Sequence, residues 1–225
     1  MPNSLKKKLI RSIKVTHISY SDYLGGAAIA SKNINDCIRK KINSSILVFD
    51  KKNEKKKMIK KFILFLRIII GKLPKIFSIK NFSKTQSFAL IPSQFPELIN
   101  KSKNKFSITN LHWVNRETLS IDDIYRIKTK IVWSCHDMWP FSGSYHLYSK
   151  NVTNYNSFKF KDKFLNFDYW TWQRKKKLFN KKKIYFIAPS RWIRDQALRN
   201  KVIKKENITV IGNPIDCKFW KKTNK

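Results

Sequence analysis

The stretch Ile131-Val-Trp-Ser-Cys-His-Asp-Met-Trp-Pro-Phe-Ser-Gly143 decides the fold, because it passes from a buried strand directly into a polar loop. Residues 131–134 have the apolar, β-branched character of a strand, and His136 and Asp137 follow at its carboxyl end. A second segment, Asn110-Leu-His-Trp-Val-Asn115, ends another such run in the same way. In open α/β sheets, ligands bind beyond the carboxyl ends of the strands. The two segments therefore predict a parallel sheet with a polar site at one edge.

Short apolar runs recur along the chain, and stretches with helical spacing separate most of them. This alternation predicts an α/β protein with a mostly parallel, doubly wound sheet. Residues 27–40 have helical spacing, and Ser120 and Ser190 are typical helix N-caps. The predicted strands are residues 13–18, 45–49, 106–111, 131–134, 184–188 and 208–211.

Length and composition favour one large globular domain. The chain has 225 residues, of which 42% are hydrophobic and 14% aromatic, and this content excludes global disorder. Cys37, Cys135 and Cys217 lack the spacing of a metal site or a disulfide framework, as expected in a reducing compartment. No cleavable signal is found in residues 1–18. We therefore expect a cytoplasmic protein.

The net charge is strongly positive, with 49 Lys and Arg against 14 Asp and Glu, giving +35. Such a surface attracts anionic partners: a phospholipid surface, a diphosphate-bearing acceptor or nucleic acid. A composition rich in Lys, Asn and Ile is also typical of genomes poor in G and C, so part of the charge has this other explanation. The basic residues form no RNA-binding signature, and nucleic acid is therefore disfavoured.

Residues 58–73 form an apolar stretch that is flanked by lysines and interrupted by Arg67. The stretch is too short and too interrupted to span a bilayer, which takes about 20 apolar residues. Its spacing predicts a helix that lies on an anionic membrane surface, at the inner face of the membrane in a cytoplasmic protein. The same pattern is also typical of a core helix that packs on the sheet, and the sequence leaves both interpretations open.

Five motifs follow one another along the chain. They are Gly25-Gly26-Ala-Ala-Ile-Ala30, His112-Trp113, Val132 to Gly143, Ala188-Pro-Ser-Arg-Trp192 and Val210-Ile-Gly-Asn-Pro-Ile-Asp216. In this order they resemble the motifs of family 4 glycosyltransferases, especially those of the bacterial enzymes of polysaccharide and lipopolysaccharide synthesis. The resemblance implies a Rossmann-like domain of a GT-B enzyme, which transfers sugar with retention of configuration. It also implies a nucleotide-diphosphate sugar as donor, a glycan or lipid-linked acceptor, and neither a metal nor another cofactor.

The resemblance also implies a domain organisation. Residues 1–216 correspond to the N-terminal acceptor-side half of a GT-B enzyme, and residues 217–225 to the start of a linker to a donor-binding domain outside this sequence. Ile215, Phe219 and Trp220 are then expected on a face that the second domain covers. Three interpretations stay open: an enzyme half that works with a separate donor-domain polypeptide, an inactive truncated remnant, and a basic membrane- or nucleic-acid-binding adaptor on the same fold.

Four residues are the best candidates for chemistry. His136 and Asp137 are predicted to be catalytic, because a histidine can bond to a sugar hydroxyl and a carboxylate can orient it. Gly25 and Gly26 lie between a strand and a helix, where exposed N–H groups suit a donor phosphate or the acceptor. The structural alternatives are a turn-capping Asp137, a buried structural His136 and a tight glycine turn.

Four further residues are predicted to shape the acceptor site. His112, Trp113 and Asn115 end the neighbouring strand, and Trp139 follows His136 in an apolar segment. Local packing is the alternative for both tryptophans. The long connection at residues 142–165 is predicted to be an acceptor-side loop. It contains no cysteine, so no metal or disulfide is expected there.

Overall fold

The structure is a computed structural model that describes residues 12–52, 58–77, 86–101, 105–147, 155, 166–215 and 217. Its centre is a six-stranded sheet with the order β2-β1-β3-β4-β5-β6, and every neighbouring pair is parallel. The chain crosses from β2 to β3 over β1, so the strand order reverses beside β1 and opens a crevice at the carboxyl ends. The strands are β1 (Lys14–Ser21), β2 (Asn43–Asp50), β3 (Ser107–Leu111), β4 (Lys130–Ser134), β5 (Ile184–Ala188) and β6 (Ile208–Val210).

All six predicted strands are confirmed, and the largest difference is at β1. The sequence predicted its end at Ile18, whereas the strand continues to Ser21. The reason is that the chain beyond β3 still bonds to it: His112 N donates to Ile18 O at 2.9 Å, and Tyr20 N donates to Trp113 O at 2.8 Å. Ser19 and Ser21 are buried, so these polar residues do not mark the end of the strand.

Helices connect the strands, and the two predicted serine caps are confirmed. Ser120 Oγ accepts from Asp123 N, and Asp123 Oδ2 accepts from Ser120 N, so the two residues form a capping box. Ser190 Oγ accepts from Ile193 N at 3.3 Å. The helices are α1 (Gly26–Ile38), α2 (Met58–Phe77), α3 (Phe95–Asn100), α4 (Ile121–Arg126), α5 (Phe167–Lys181) and α6 (Arg191–Arg199), and a 3₁₀ turn covers Lys205–Asn207.

An aromatic cluster joins the sheet to the loop after β4. Trp133 is fully buried and stacks on Phe186 of β5, with ring centroids 6.1 Å apart. Trp139 of the loop lies 5.7 Å from Trp133, and Phe179 of α5 meets the same ring edge-on. Such pairs contribute about 0.5–1.5 kcal/mol each beyond their buried area. The loop that carries the predicted site is therefore fixed to the core immediately after His136 and Asp137.

Helix α2 is attached to the domain by one side. Arg67 donates to Pro92 O at 2.6 Å, Ile91 O at 3.1 Å and Glu117 O at 2.6 Å. Gly71 permits close contact, since a Cβ there would lie 2.6 Å from Glu117 Oε1. The interrupting arginine is thus the anchor of the helix.

The other side of α2 is apolar and open to solvent. Its residues are 39–60% exposed, so this face does not pack on the sheet as a core helix would. No helix in the described part of the chain is long and apolar enough to cross a membrane. The exposed residues are Phe62, Ile63, Phe65, Leu66, Ile69, Ile70 and Leu73.

Candidate functional site

An open cleft of about 580 Å³ lies beyond the carboxyl ends of β1, β3 and β4, at the crevice where the strand order reverses. It contains five of the eight predicted site residues, which come from three separate stretches of sequence. Parallel strands bring these stretches together, because their carboxyl ends meet at one edge of the sheet. The lining residues are Leu24, Gly25, Gly26, Ala27, Ala30, Trp113, Arg116, His136, Asp137 and Asn213.

Gly25 and Gly26 form the wall of the cleft at the start of α1. Gly25 has φ +83°, in the region that favours glycine, so a tight turn is one reason for a glycine at this position. No atom of the described residues lies within 4 Å of a Cβ built at either glycine, so the backbone is open towards the cleft. The N-cap of α1 is Gly25, which has no side chain that could bond to the first-turn N–H groups. The first-turn N–H groups and the positive end of the helix dipole are therefore open to an anion.

His136 lies on the opposite wall, just after β4. Its Nε2 is 2.8 Å from Nδ1 of His112. Burial lowers the pKa of His136 to about 4, and the nearby Asp137 carboxylate opposes this shift. The imidazole is therefore neutral at pH 7, and can exchange hydrogen bonds with a ligand without carrying charge.

Asp137 holds the loop together. Its Oδ2 accepts from Trp113 Nε1 at 2.9 Å and from His146 Nδ1 at 2.6 Å. Its Oδ1 accepts from Trp139 N at 3.0 Å, so the carboxylate caps its own turn. With three donors around it, Asp137 orients the Trp113 and His146 rings.

Arg116 is a cleft residue that the sequence analysis missed. Its guanidinium lies 5.2 Å from the ring centroid of Tyr20 and 5.9 Å from that of Trp113. This places an exposed cation over two aromatic rings. Its position directly after the Asn110–Asn115 segment is the signal that could have identified it, since the chain still follows the crevice there.

His112, Asn115 and Trp139 lie behind the cleft wall rather than in it. Their exposed fractions are 2%, 2% and 0%, and none of them lines the cleft. Trp139 Nε1 donates to Ser87 O at 2.8 Å, which turns the indole into the core. Of the four predicted acceptor residues, the structure places only Trp113 on the cleft surface.

Two further residues, neither of which the sequence analysis singled out, support the site from inside. His17 of β1 is fully buried, and its Nδ1 lies 2.8 Å from His112 Nε2. Lys175 of α5 is fully buried and donates to the main-chain oxygens of Trp139, Ser142 and Gly143. His17 lies among polar strand residues and Lys175 within a run of lysines, so neither stands out by composition.

The predicted acceptor-side loop is described only in part, because residues 148–154 and 156–165 lie outside the described residues. Asp216, Phe219 and Trp220 also lie outside them, whereas Ile215 is 68% exposed. Within the described ranges, no group of three or more His, Cys, Asp or Glu side chains could hold a metal ion.

A model of a known protein family matches most of the sequence. A comparison with curated proteins finds no match. The family model described as Glycosyltransferase Family 4 matches residues 65–219, which include β3 to β6 and the His136 wall of the cleft. The match covers more than half of the sequence, and its α/β fold agrees with a six-stranded parallel sheet. The chain therefore belongs to glycosyltransferase family 4.

Proposed function

We propose that this chain forms the acceptor-side half of a retaining, nucleotide-sugar-dependent glycosyltransferase of the GT-B fold. Its acceptor is a glycan or a lipid-linked glycan of cell-surface polysaccharide or lipopolysaccharide synthesis. The observation that carries the proposal is the cleft, where an uncapped helix N-terminus faces a neutral histidine across the crevice of the sheet. A donor-binding domain, on the same polypeptide or on another, completes the site.

The donor diphosphate is proposed to lie beside Gly25 and Gly26. A helix N-terminus carries about half a positive charge, and the open glycine backbone lets phosphate oxygens approach its N–H groups. Arg116 adds a full positive charge on the same cleft. Together these groups offset the negative charge that gathers on the leaving diphosphate during transfer.

The acceptor sugar is proposed to lie against Trp113 and His136. Trp113 is fixed by its bond to Asp137, so its ring provides a rigid apolar surface for a sugar face. The neutral His136 imidazole bonds to a hydroxyl of the acceptor. Asp137 serves both residues by holding the loop.

Replacement of His136 by Ala is expected to lower the rate of sugar transfer about 100-fold, as expected for loss of a side chain that handles a reacting hydroxyl. The protein is purified by a tag from its own cells with whatever partner it carries. It is then incubated with radiolabelled nucleotide-diphosphate sugars and the lipid fraction of those cells. Labelled lipid-linked product is measured for the wild type and the variant.

The control is Leu98→Ser, because Leu98 is 53% exposed on α3 and lies outside the cleft. This variant should transfer sugar at the wild-type rate. The 225-residue chain alone should be inactive, because a GT-B donor site is built mainly on the second domain. Transfer by the isolated chain, or full activity of His136→Ala, would contradict the proposal.

We further propose that α2 docks this half of the enzyme on an anionic bilayer. Its anchored side faces the domain through Arg67, and the opposite side presents seven exposed apolar residues among those that the structure describes. Lysines occupy positions 55–57, 60 and 61 of the sequence, before and at the start of this helix in chain order. An exposed apolar helix face, in a segment rich in lysine, suits the headgroup boundary of an anionic membrane.

Binding to vesicles is expected to depend on both parts of this surface. The wild type should sediment with vesicles that contain phosphatidylglycerol at low salt, and less so at high salt, because salt screens the lysines. A Phe62→Ser, Phe65→Ser double variant should lose most of this binding, whereas Leu98→Ser should retain it. Equal binding to purely zwitterionic vesicles, or an unaffected double variant, would exclude this docking surface.

A further inference from the structure

Three histidines form a continuous hydrogen-bonded row beneath the cleft. His17 of β1, His112 after β3 and His136 after β4 lie on three neighbouring strands. His17 Nδ1 lies 2.8 Å from His112 Nε2, and His112 Nδ1 lies 2.8 Å from His136 Nε2. The rings lie edge to edge, with successive centroids 5.1 Å apart and interplanar angles of 29° and 19°. Each nitrogen pair needs one donor and one acceptor, so the tautomers of the three rings are coupled.

Asn110 determines which nitrogens of the three rings donate and which accept. Ser134 Oγ donates to Asn110 Oδ1 at 3.1 Å, which leaves Asn110 Nδ2 to face His17 Nδ1 at 3.3 Å. In this orientation of the Asn110 amide, Nδ1 of His17 is unprotonated, because an amide nitrogen only donates. The single lone pair of that nitrogen accepts mainly from His112 Nε2–H, which is closer at 2.8 Å.

The tautomer of His17 determines that of His112, which in turn determines that of His136 in the cleft. Because His112 carries its hydrogen on Nε2, its Nδ1 is an acceptor, and His136 must donate from Nε2. Nδ1 of His136 is then left unprotonated. It has no hydrogen-bond partner among the residues that the structure describes, and His136 lines the cleft.

The rings are neutral, so each has a single N–H and the tautomer is the remaining variable. Burial lowers the pKa of His17 and of His136 to about 4. Burial, together with the two flanking rings, also lowers the pKa of His112 well below its usual value. The carboxylate that acts on this row is Asp137, beside His136.

We propose that Asn110 and His17 are positioning residues that act through His112 to fix His136 as its Nε2–H tautomer, with Nδ1 presented to the cleft as an acceptor for a ligand hydroxyl. The hydrogen bonds of the His17 ring in the described part of the chain are those of its Nδ1. Its Nε2, which carries the hydrogen in this tautomer, is buried and has no partner there, which is costly for a polar atom. The role in sugar transfer rests on the proposed function, whereas the tautomer itself does not.

Imidazole ¹⁵N NMR of the full chain tests the proposal directly. The sequence has four histidines, and His146, which bonds to Asp137, is an internal reference outside the row. In the wild type, His112 and His136 should both carry hydrogen on Nε2. In Asn110→Asp the new carboxylate can only accept, so hydrogen moves to His17 Nδ1. The tautomers of His112 and His136 should then reverse, while that of His146 stays unchanged.

A second variant, His17→Phe, keeps a ring but removes both nitrogens. His112 loses its acceptor, and His136 should become a mixture of tautomers. Because the Nε2–H form also predominates in free histidine, an unchanged His136 in both variants overturns the proposal, as does hydrogen on Nδ1 of His136 in the wild type. Neither result bears on whether sugar is transferred.

The kinetic test uses the active assembly. There, the reversed tautomer of His136 in Asn110→Asp should lower kcat about tenfold with KM unchanged, and an unchanged kcat would overturn the role of Nδ1.

Discussion

Acidification from pH 7 to pH 4 is expected to lower the free energy of unfolding by roughly 6 kcal/mol through two histidines alone. Burial lowers the pKa of His17 and of His136 to about 4, from an ordinary value of 6.5. Each tenfold change in proton affinity corresponds to about 1.4 kcal/mol, so each ring accounts for roughly 3 kcal/mol. His112 adds to the effect in the same direction, because its pKa is also lowered.

The sign follows from where protons bind first. The unfolded chain takes up protons on these histidines near pH 6.5, whereas the folded chain does so only near pH 4. Stability is therefore fully present above pH 6.5, and is lost as the pH falls towards 4. Urea unfolding at pH 7, 6, 5 and 4 measures this dependence.

The variant His17→Phe isolates the contribution of one ring. Its stability should fall by about 3 kcal/mol less than that of the wild type between pH 7 and pH 4, because it lacks one group that resists protonation. The exposed-site variant Leu98→Ser should follow the wild-type curve. Parallel curves for the wild type and His17→Phe would show that His17 does not titrate as its burial requires.

The sheet could be predicted from the sequence because its signals are local. β-Branched apolar runs such as residues 184–188 predict strands without knowledge of their partners, and this strand has the predicted bounds. The caps at Ser120 and Ser190 were equally local. The crevice followed from a general rule on parallel sheets, and five predicted residues lie in it.

The support behind the crevice could not be predicted, because it depends on contacts across strands that are far apart in sequence. His17 and His112 are separated by 95 positions, and nothing in either segment indicates that their rings bond. The sequence placed His112, Asn115 and Trp139 near the crevice, but all three follow the strands in loops, where no regular period predicts whether a side chain turns towards the core. The exposure of α2 was also undecided, because apolar residues nearly encircle that helix.

Lys175 was the least predictable residue of all. It begins the run Lys175-Lys-Lys177, and only its helical spacing of three from Trp172 and Leu178 separates it from the other two lysines. In the structure, Lys175 is fully buried, Lys176 is half-buried and Lys177 is exposed. Lys175 is buried because main-chain oxygens of a loop face it, and such partners leave no trace in composition or spacing.

Replacement of Lys175 by Met is expected to lower the free energy of unfolding by about 3 kcal/mol, within the cost of leaving buried polar groups unpaired. The Nζ of Lys175 donates to the main-chain oxygens of Trp139, Ser142 and Gly143, and it lies 3.6 Å from the centroid of the Trp139 ring. Met has a similar length but no donor. The three oxygens would lose this donor, while the relief of a buried charge offsets part of the loss.

Urea unfolding measures the loss of stability, and hydrogen exchange measures where the structure loosens. Lys177→Met is the matched control, since it makes the same substitution at an exposed position two residues away, and it should change stability by less than about 0.5 kcal/mol. In Lys175→Met, faster exchange should concentrate in residues 138–144, because Lys175 bonds to this loop. A variant as stable as the wild type would mean that desolvation of the ammonium group cancels its hydrogen bonds. The loop after His136 and Asp137 would then be held by its aromatic packing, by the bonds of Asp137 and by its other hydrogen bonds, such as those of Gly143 N to Tyr155 and Ser144 N to Asp168.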